Sequence, residues 1–496
     1  MKIIISHSYF LNLDPKEAAN QKPYPPLATL LLAALIKQEI GHDVAVYDVM
    51  FDNDANSLVQ YINMNNPDLV IIYDDDFNYL TKMCLENMRN AIFTAVNNVK
   101  LNCTFIAHGS DASDQAEMYL ENGFDYVVHT NAENIILKLI RLLINNDDNK
   151  ISLLNSLTYF RNRTICQNPV AIDNFPLERL PDPAWELIDL NPYRKMWTDN
   201  HGYFSLNIST AHGCPYHCNW CAKPLYGRTY KAIPAHKIAR QFQFMKTKLN
   251  TDHVWITDDI FALKPGWITE FANDVINRDA IIPYKIQLRS DLVNQQFIAE
   301  LARSGCDEVW LGVESGSQKI LDAMEKNLNL EQIFTSTRIL KSKNIKVGFF
   351  IQYGYPGEKF EDIKMTLQMI RACKPDFIGI SISYPLKGTP FYQTVVNDMG
   401  EKLNWTDSGD LALMFPGKYH PDFYRALHAY THHYFGMLSL FKKQPLKKHI
   451  RRLAAQYKHI PGILKYRLRM NAYLAESDSD QGMDIRSYKH LNIKKL

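Results

Sequence analysis

No stretch of this sequence stays apolar for long enough to cross a bilayer. The run Leu30 to Ile36 falls far short of the about 20 residues that a spanning helix requires. The opening MKIIISHSY enters a strand-like pattern directly, without the apolar centre and small-residue cleavage site of a secretory leader, so a cytoplasmic protein is expected. Neither GxGxxG nor GxxxxGK(S/T) occurs in the first 150 residues, which removes the usual dinucleotide and nucleoside triphosphate loops. Charge of one sign is not in excess: 55 Lys and Arg against 53 Asp and Glu leave a net charge of +2, no global reason to expect nucleic acid. Low-complexity tracts and short-period repeats are lacking. Cysteine is sparse, eight in 496 residues, and Cys84, Cys103, Cys166, Cys306 and Cys373 are scattered singly. Those five read as small buried apolar residues, not as disulfide partners. A hydrophobic share of 46% with 22% charged residues is that of a soluble globular chain, and the length calls for two or three domains.

What is present centres on NISTAHGCPYHCNWCAKPLYGRTYK, residues 207 to 231. Cys214, Cys218 and Cys221 have Cys-x3-Cys-x2-Cys spacing and follow the strand-like run Phe204 to Ile208. A cubane iron-sulfur cluster takes four thiolates for full coordination, and this loop supplies one fewer, leaving an iron open to a ligand. A zinc knuckle with His217 or His212 as fourth ligand is the alternative. From Phe204 to about Tyr392, strand and helix signals alternate, with strands expected at Phe204 to Ile208, His253 to Thr257, Tyr284 to Leu288, Glu308 to Gly312, Lys346 to Gln352 and Phe377 to Ser383. Six strand-helix units suit a partial TIM-type (β/α)6 barrel, whose chemistry gathers at the C-terminal strand ends. The cysteine loop leaves the first of those ends, company that a zinc knuckle does not need. Polar groups close the later ones: Asp258 and Asp259, Arg289, Glu314 and Ser315, and the GYPGE turn with Gly354 and Pro356.

Residues 1–146 carry a similar alternation, with strands at Lys2 to Ser6, Asp43 to Tyr47, Leu69 to Tyr73, Thr104 to His108 and Asp125 to His129. Helical patterns at Leu27 to Glu39 and Ala112 to Asn122 lie between them. The class is α/β, a doubly wound Rossmann or flavodoxin-like domain, with ligands expected beyond the carboxyl ends of the strands. Residues 147–201 hold the prolines of NFPLERLPDPAWELIDLNPY and read as an extended connector, with Trp185 and Tyr193 as packing anchors. The barrel spans 202–398. Residues 399–496 read as a small, mostly helical, basic domain, with helices at Asp422 to Leu440 and Lys447 to Leu468. Its basic segments KKQPLKKHIRR and KYRLRM would suit an anionic surface such as a membrane, or a solvated face. Lys387, in YPLKGTPFY after the sixth strand, reads as a solvated loop lysine.

The cysteine loop, with Trp220 just before its last cysteine, resembles that of the radical S-adenosylmethionine (SAM) enzymes, and GVES and GYPGE extend the resemblance. It implies a 4Fe-4S cluster on Cys214, Cys218 and Cys221, with SAM chelated at the open iron and cleaved to a deoxyadenosyl radical. It also implies SAM contacts at Trp220, Asp258, Arg289, Glu314, Ser315, Gly354 and Pro356. The first domain resembles the cobalamin-binding domain of one branch of that family. HGSDAS stands where members have a Gly-Gly loop, and HTNAEN where many have Gly-Glu-Gly-Glu. The implied cobalamin contacts are Tyr9, Asp75, His108, Gly109, Ser110, Asn131 and Glu133. The Asp-x-His-x-x-Gly motif for an axial histidine is lacking. The activity so implied is methylation of an unactivated carbon, or of phosphorus, in a small molecule, with reducing power from a flavodoxin or ferredoxin. An alternative is oxidative cyclisation or rearrangement like that of the anaerobic magnesium-protoporphyrin monomethyl ester cyclase. A remote alternative is a non-catalytic metal or cobalamin sensor.

Overall fold

A computed structural model of the chain describes residues 1–74, 79–130, 132–171, 175–221, 228–438 and 459–479. The first sheet has five parallel strands, β1 (Lys2–Ser6), β2 (Asp43–Val46), β3 (Leu69–Tyr73), β4 (Thr104–His108) and β5 (Tyr126–Val128), in the order β2-β1-β3-β4-β5. That is the flavodoxin-like winding expected. The strands are short continuous runs of Ile, Val and Leu because helices cover both faces; Ile3, Ile4, Ile5, Val70, Ile71 and Ile106 are fully buried.

The sheet does not stop at β5. Strands β6 (Leu157–Arg161) and β7 (Thr164–Gln167) continue it antiparallel, inside the segment expected to be an extended connector. The physical reason is a two-residue hairpin: Arg161 pairs with Thr164 across Asn162 and Arg163, whose φ values of 51° and 65° are those of a type I′ turn. The extended path begins only after Gln167 and gives way to helix Asn191–His201; Trp185 and, in that helix, Tyr193 are buried, as expected of anchors. The Tyr193 hydroxyl donates to Asp48 Oδ2 at 2.6 Å.

Strand β8 (Ser205–Ile208) opens the second sheet and is followed by a ribbon of β9 (Ala211–His212) and β10 (Lys231–Ala232). Then come β11 (His253–Ile256), β12 (Tyr284–Leu288), β13 (Cys306–Glu314), β14 (Lys346–Tyr353) and β15 (Phe377–Ile382). The order β15-β14-β13-β12-β11-β8, parallel throughout, is the half barrel expected. Helix Pro421–Leu438 packs along β15, and helix His459–Ser479 packs on it in turn. The second expected C-terminal helix therefore begins outside the described residues, as does the basic run 442–452. No helix among the described residues is long and apolar enough to cross a membrane.

The two sheets are joined by specific contacts. Residues 23–26 lie against β8 and β11, where Trp197 Nε1 donates to the Pro23 carbonyl (2.7 Å) and Asn207 Nδ2 to that of Pro25 (3.0 Å). The Tyr24 ring packs between Trp197 and Trp255. At the C-terminal strand ends, Lys82 of the first domain pairs with Asp259 at 3.1 Å, and the Tyr384 hydroxyl donates to the Met83 carbonyl at 2.7 Å. Lys387 is exposed, as expected of a loop lysine, and also donates to the Asp114 carbonyl at 2.6 Å, which ties the barrel exit to the first domain.

Candidate active site at the barrel mouth

The cysteine loop is pinned where it leaves β8. Asp258, at the end of β11 and 1% exposed, accepts from the backbone N–H of Thr210 (2.6 Å) and Ala211 (3.0 Å) and from the hydroxyls of Ser209 and Thr210. Burial pushes its carboxyl up to about 7, against those hydrogen bonds. The β9–β10 ribbon then brackets the loop, whose residues 222–227 lie outside the described set. Within it, the Cys221 N–H donates to the Cys218 carbonyl, which turns the second and third cysteines back on each other.

None of the cysteines forms a disulfide. Three thiols on one loop at a barrel strand end are the donor set of an iron-sulfur cluster with one open iron, and the residues present fit that group. Among the described residues no three His, Cys, Asp or Glu side chains stand close enough to hold a single metal ion. Of the histidines of the zinc alternative, His212 is buried in β9, and His217 is exposed with Arg228 against its Nδ1.

Arg289, at the end of β12, places one guanidinium nitrogen 3.7 Å from Cys218 Sγ and lies 3.9 Å over the Tyr216 ring. Its other donors go to Asp291 (3.0 and 3.1 Å) and to the carbonyls of Lys326 (2.8 Å) and Asn327 (3.3 Å). A bulge between Gly312 and Glu314 ends β13 and puts Glu314 at φ 63°, a strained conformation for a residue with a Cβ. Glu314 pairs with Lys326 at 2.9 Å, both nearly buried. A Cβ on Gly312 would come within 2.8 Å of Lys326 Nζ, so the pair lies flat on that glycine. Lys326 Nζ is also 5.4 Å over the half-buried Trp220 ring. Gly354, at φ 81°, donates its N–H to Glu358 Oε2 at 2.7 Å and starts the turn through Pro356.

Of the SAM set, Trp220, Arg289, Glu314, Gly354 and Pro356 gather around the loop. Asp258 and Ser315 are turned inward: Asp258 onto the loop backbone, and fully buried Ser315 onto the Ser317 N–H (3.1 Å) and the Thr366 hydroxyl (3.3 Å). Their buried oxygens are occupied by protein, so both support the mouth and do not line it. Sequence reasoning missed Lys326, Asn219 and Asp291. Lys326 reaches the mouth only through its tertiary contact with Glu314, and Asn219, although inside the cysteine loop, has partners more than 100 residues away, which spacing does not reveal. Asp291 stands two residues after Arg289, a spacing at which an ion pair could have been sought.

In the first domain, Asp75 and Asn131 lie outside the described residues. Tyr9 is 4% exposed with its hydroxyl 3.1 Å from Asp14 Oδ2. His108, also buried, has Nδ1 2.8 Å from the Val128 carbonyl and its ring against Tyr73. Glu133 is buried in helix Ala132–Ile144, and Ser110 starts helix Ser110–Asp114. Gly109, at φ 141°, allows Asp74 to approach where a Cβ would stand 2.8 Å away. A cavity at these strand ends is lined by Ser8, Asp74, Thr81, Arg89, Asp111 and Tyr119, with Arg89 and Asp111 as a buried ion pair (2.5 Å). Tyr9 lines this cavity as well, with Ser8 and Asp74 beside it, whereas His108 and Glu133 are buried behind the strand ends.

Residues 208–370 match the Radical SAM superfamily. An uncharacterized methyltransferase from Pyrococcus horikoshii is 21% identical over 407 residues, covering 80% of this chain and 84% of that protein. Among solved structures, the radical SAM methyltransferase TsrM from Kitasatospora setae, with cobalamin and a 4Fe-4S cluster bound, has a TM-score of 0.65 at 17% identity, over 80% of this chain and 75% of that one. The cobalamin-dependent SAM radical enzyme OxsB, with aqua-cobalamin and SAM bound, has a TM-score of 0.69 at 15% identity, over 97% and 75%. At these identities the likeness to the two structures is one of fold. The matched segment runs from the last residue of β8 into helix Phe360–Cys373 and so takes in the cysteine loop, Arg289, the Glu314–Lys326 pair and the GYPGE turn. The chain therefore carries a Radical SAM domain over residues 208–370.

Proposed function

We propose that this chain is a cobalamin-dependent radical SAM methyltransferase acting on an unactivated carbon, or on phosphorus, of a small molecule. The observation that carries it is the three-thiol loop set against Arg289 and the Glu314–Lys326 pair at the mouth of a half barrel, beneath the strand ends of a flavodoxin-like sheet. The Pyrococcus methyltransferase and the folds of TsrM and OxsB support it. When bound, the cluster with SAM supplies reductive cleavage and hydrogen abstraction, and cobalamin supplies a transferable methyl group.

The residues have distinct tasks in that setting. Cys214, Cys218 and Cys221 hold the iron, and Asp258 fixes the strand end from which they leave. Glu314 and Lys326 offer an acceptor and a donor side by side, suited to the amino and carboxylate groups of an amino acid. Arg289 keeps a positive charge beside the Cys218 sulfur. Gly354 lets the turn backbone approach a flat base. A flavodoxin or ferredoxin as electron donor and a cytoplasmic setting belong to the same reading.

The test is anaerobic purification from cobalamin-fed cells, mass spectrometry of released cobalamin, and transfer of label from methyl-deuterated SAM. Near-stoichiometric cobalamin and a labelled product are expected. An intact cluster without cobalamin, or a product without added methyl, would remove methyl transfer in favour of cyclisation or rearrangement. Cys218→Ala should lower SAM cleavage at least 1000-fold with the first sheet still folded; retained cleavage would sink the cluster assignment.

A further inference from the structure

Asn219 stands between Cys218 and Trp220 and is 9% exposed. Each of its polar atoms is engaged, and by elements far apart in sequence. Its backbone N–H donates to the Met324 carbonyl (3.2 Å) and its Nδ2 to the Ala323 carbonyl (2.9 Å), both beyond the exit of β13. Its Oδ1 accepts from the Tyr355 hydroxyl (2.9 Å), in the turn after β14. Its carbonyl accepts the N–H of Phe391 (3.0 Å), after β15. Tyr355 also stacks on Phe391, with ring centroids 5.2 Å apart. The exits of β13 and β14 therefore meet at the Asn219 side chain, and that of β15 at its backbone carbonyl, all inside the cysteine loop.

We propose that Asn219 is a positioning residue that couples the thiolate loop to the Gly354–Gly357 turn, a role that rests on the radical SAM reading above. A loop with three metal ligands has to be ordered before or during metal uptake, and ordering its centre in advance lowers that cost. Asn219 orders the backbone between Cys218 and Cys221. Tyr355, flanked by Gly354 and Pro356, makes the same hydrogen bond report on the turn. Occupation of the turn by SAM and the geometry of the cluster ligands then influence each other.

The experiment uses the full chain as wild type, Asn219→Ala and Tyr355→Phe. In the reduced, iron-free proteins, alkylation by iodoacetamide is followed at Cys218, Cys221 and buried Cys306 by peptide mass spectrometry. Asn219→Ala should speed alkylation at Cys218 and Cys221 at least fivefold with Cys306 unchanged, and Tyr355→Phe should fall between. In the reconstituted proteins, the SAM concentration that half-completes the change in the reduced cluster's paramagnetic resonance spectrum should rise at least tenfold in both variants. Loop thiol rates and SAM dependence within twofold of wild type in both variants would overturn the coupling. Failure of the wild-type chain to take up iron would overturn the radical SAM reading instead, and the alkylation rates would still decide whether Asn219 orders the loop.

Discussion

At the scale of single residues, Glu358 shows how burial sets a protonation state. It is 1% exposed, with Oε2 held by the Gly354 N–H and Oε1 without a hydrogen-bond partner among the described residues. Burial pushes its carboxyl up to about 8, from 4.5 in an unstructured chain. Between those values the folded protein keeps a proton that the unfolded chain has released. Its contribution to stability is complete below pH 4.5 and is lost as pH rises through 8, at a slope of at most about 1.4 kcal/mol per unit. Urea midpoints should fall from pH 6 to pH 8.5 in the wild type, and Glu358→Gln should remove most of Glu358's share of that fall. Asp258 adds a change of the same sign, so the comparison between variants, not the slope alone, isolates Glu358.

At the scale of elements, the concave face of the half barrel depends on glycines that admit an indole. Trp310 on β13 lies across Gly348 of β14, where a Cβ would stand 2.4 Å from its ring, and near Gly379 of β15 (3.2 Å). Its Nε1 donates to Glu308 Oε1 at 2.7 Å, which fixes the ring in that plane. Gly348→Ala should cost about 1–3 kcal/mol by overpacking, whereas Gly400→Ala, with nothing within 4 Å of the added Cβ, should stay within about 0.5 kcal/mol. Urea denaturation of both variants checks this. Strands such as Leu69–Tyr73, Thr104–His108 and Tyr284–Leu288 were legible in the sequence to the residue, because the first two are short apolar runs and the third alternates apolar with polar residues. The β6–β7 hairpin was not, because its turn is Asn-Arg, with Arg163 at a positive φ where glycine is the usual signal. The cysteine loop was legible from spacing alone. Its supports were not, since Asn219 and Lys326 act through carbonyls and carboxylates more than ten residues away in sequence.

At the scale of the whole molecule, residues 402–410 stitch the far end of the chain back onto the first domain. The N–H groups of Glu86 and Asn87 donate to the carbonyls of Trp405 and Thr406 (3.0 and 3.1 Å), so this segment caps the start of helix Glu86–Asn98. Asn404 accepts from Arg89 (2.8 Å) and donates to the Tyr384 hydroxyl (3.0 Å). Asn404→Ala leaves buried Arg89 short of a partner, a loss of about 1–3 kcal/mol. Amide hydrogen exchange across residues 85–98 should accelerate while that of β11 to β14 stays unchanged; equal protection throughout would show that the segment is held without Asn404.

The same stitching bears on how such proteins can be recombined. The first sheet and the half barrel look like exchangeable modules, but the surface between them is completed by a short tail segment encoded more than 200 residues after the first domain ends. A chimera that takes only the first 170 residues from a relative would present a foreign helix start to a native Trp405 and Thr406. The graft has to carry residues 402–410 along with it, so the unit of exchange is discontinuous in the gene although it is contiguous in space.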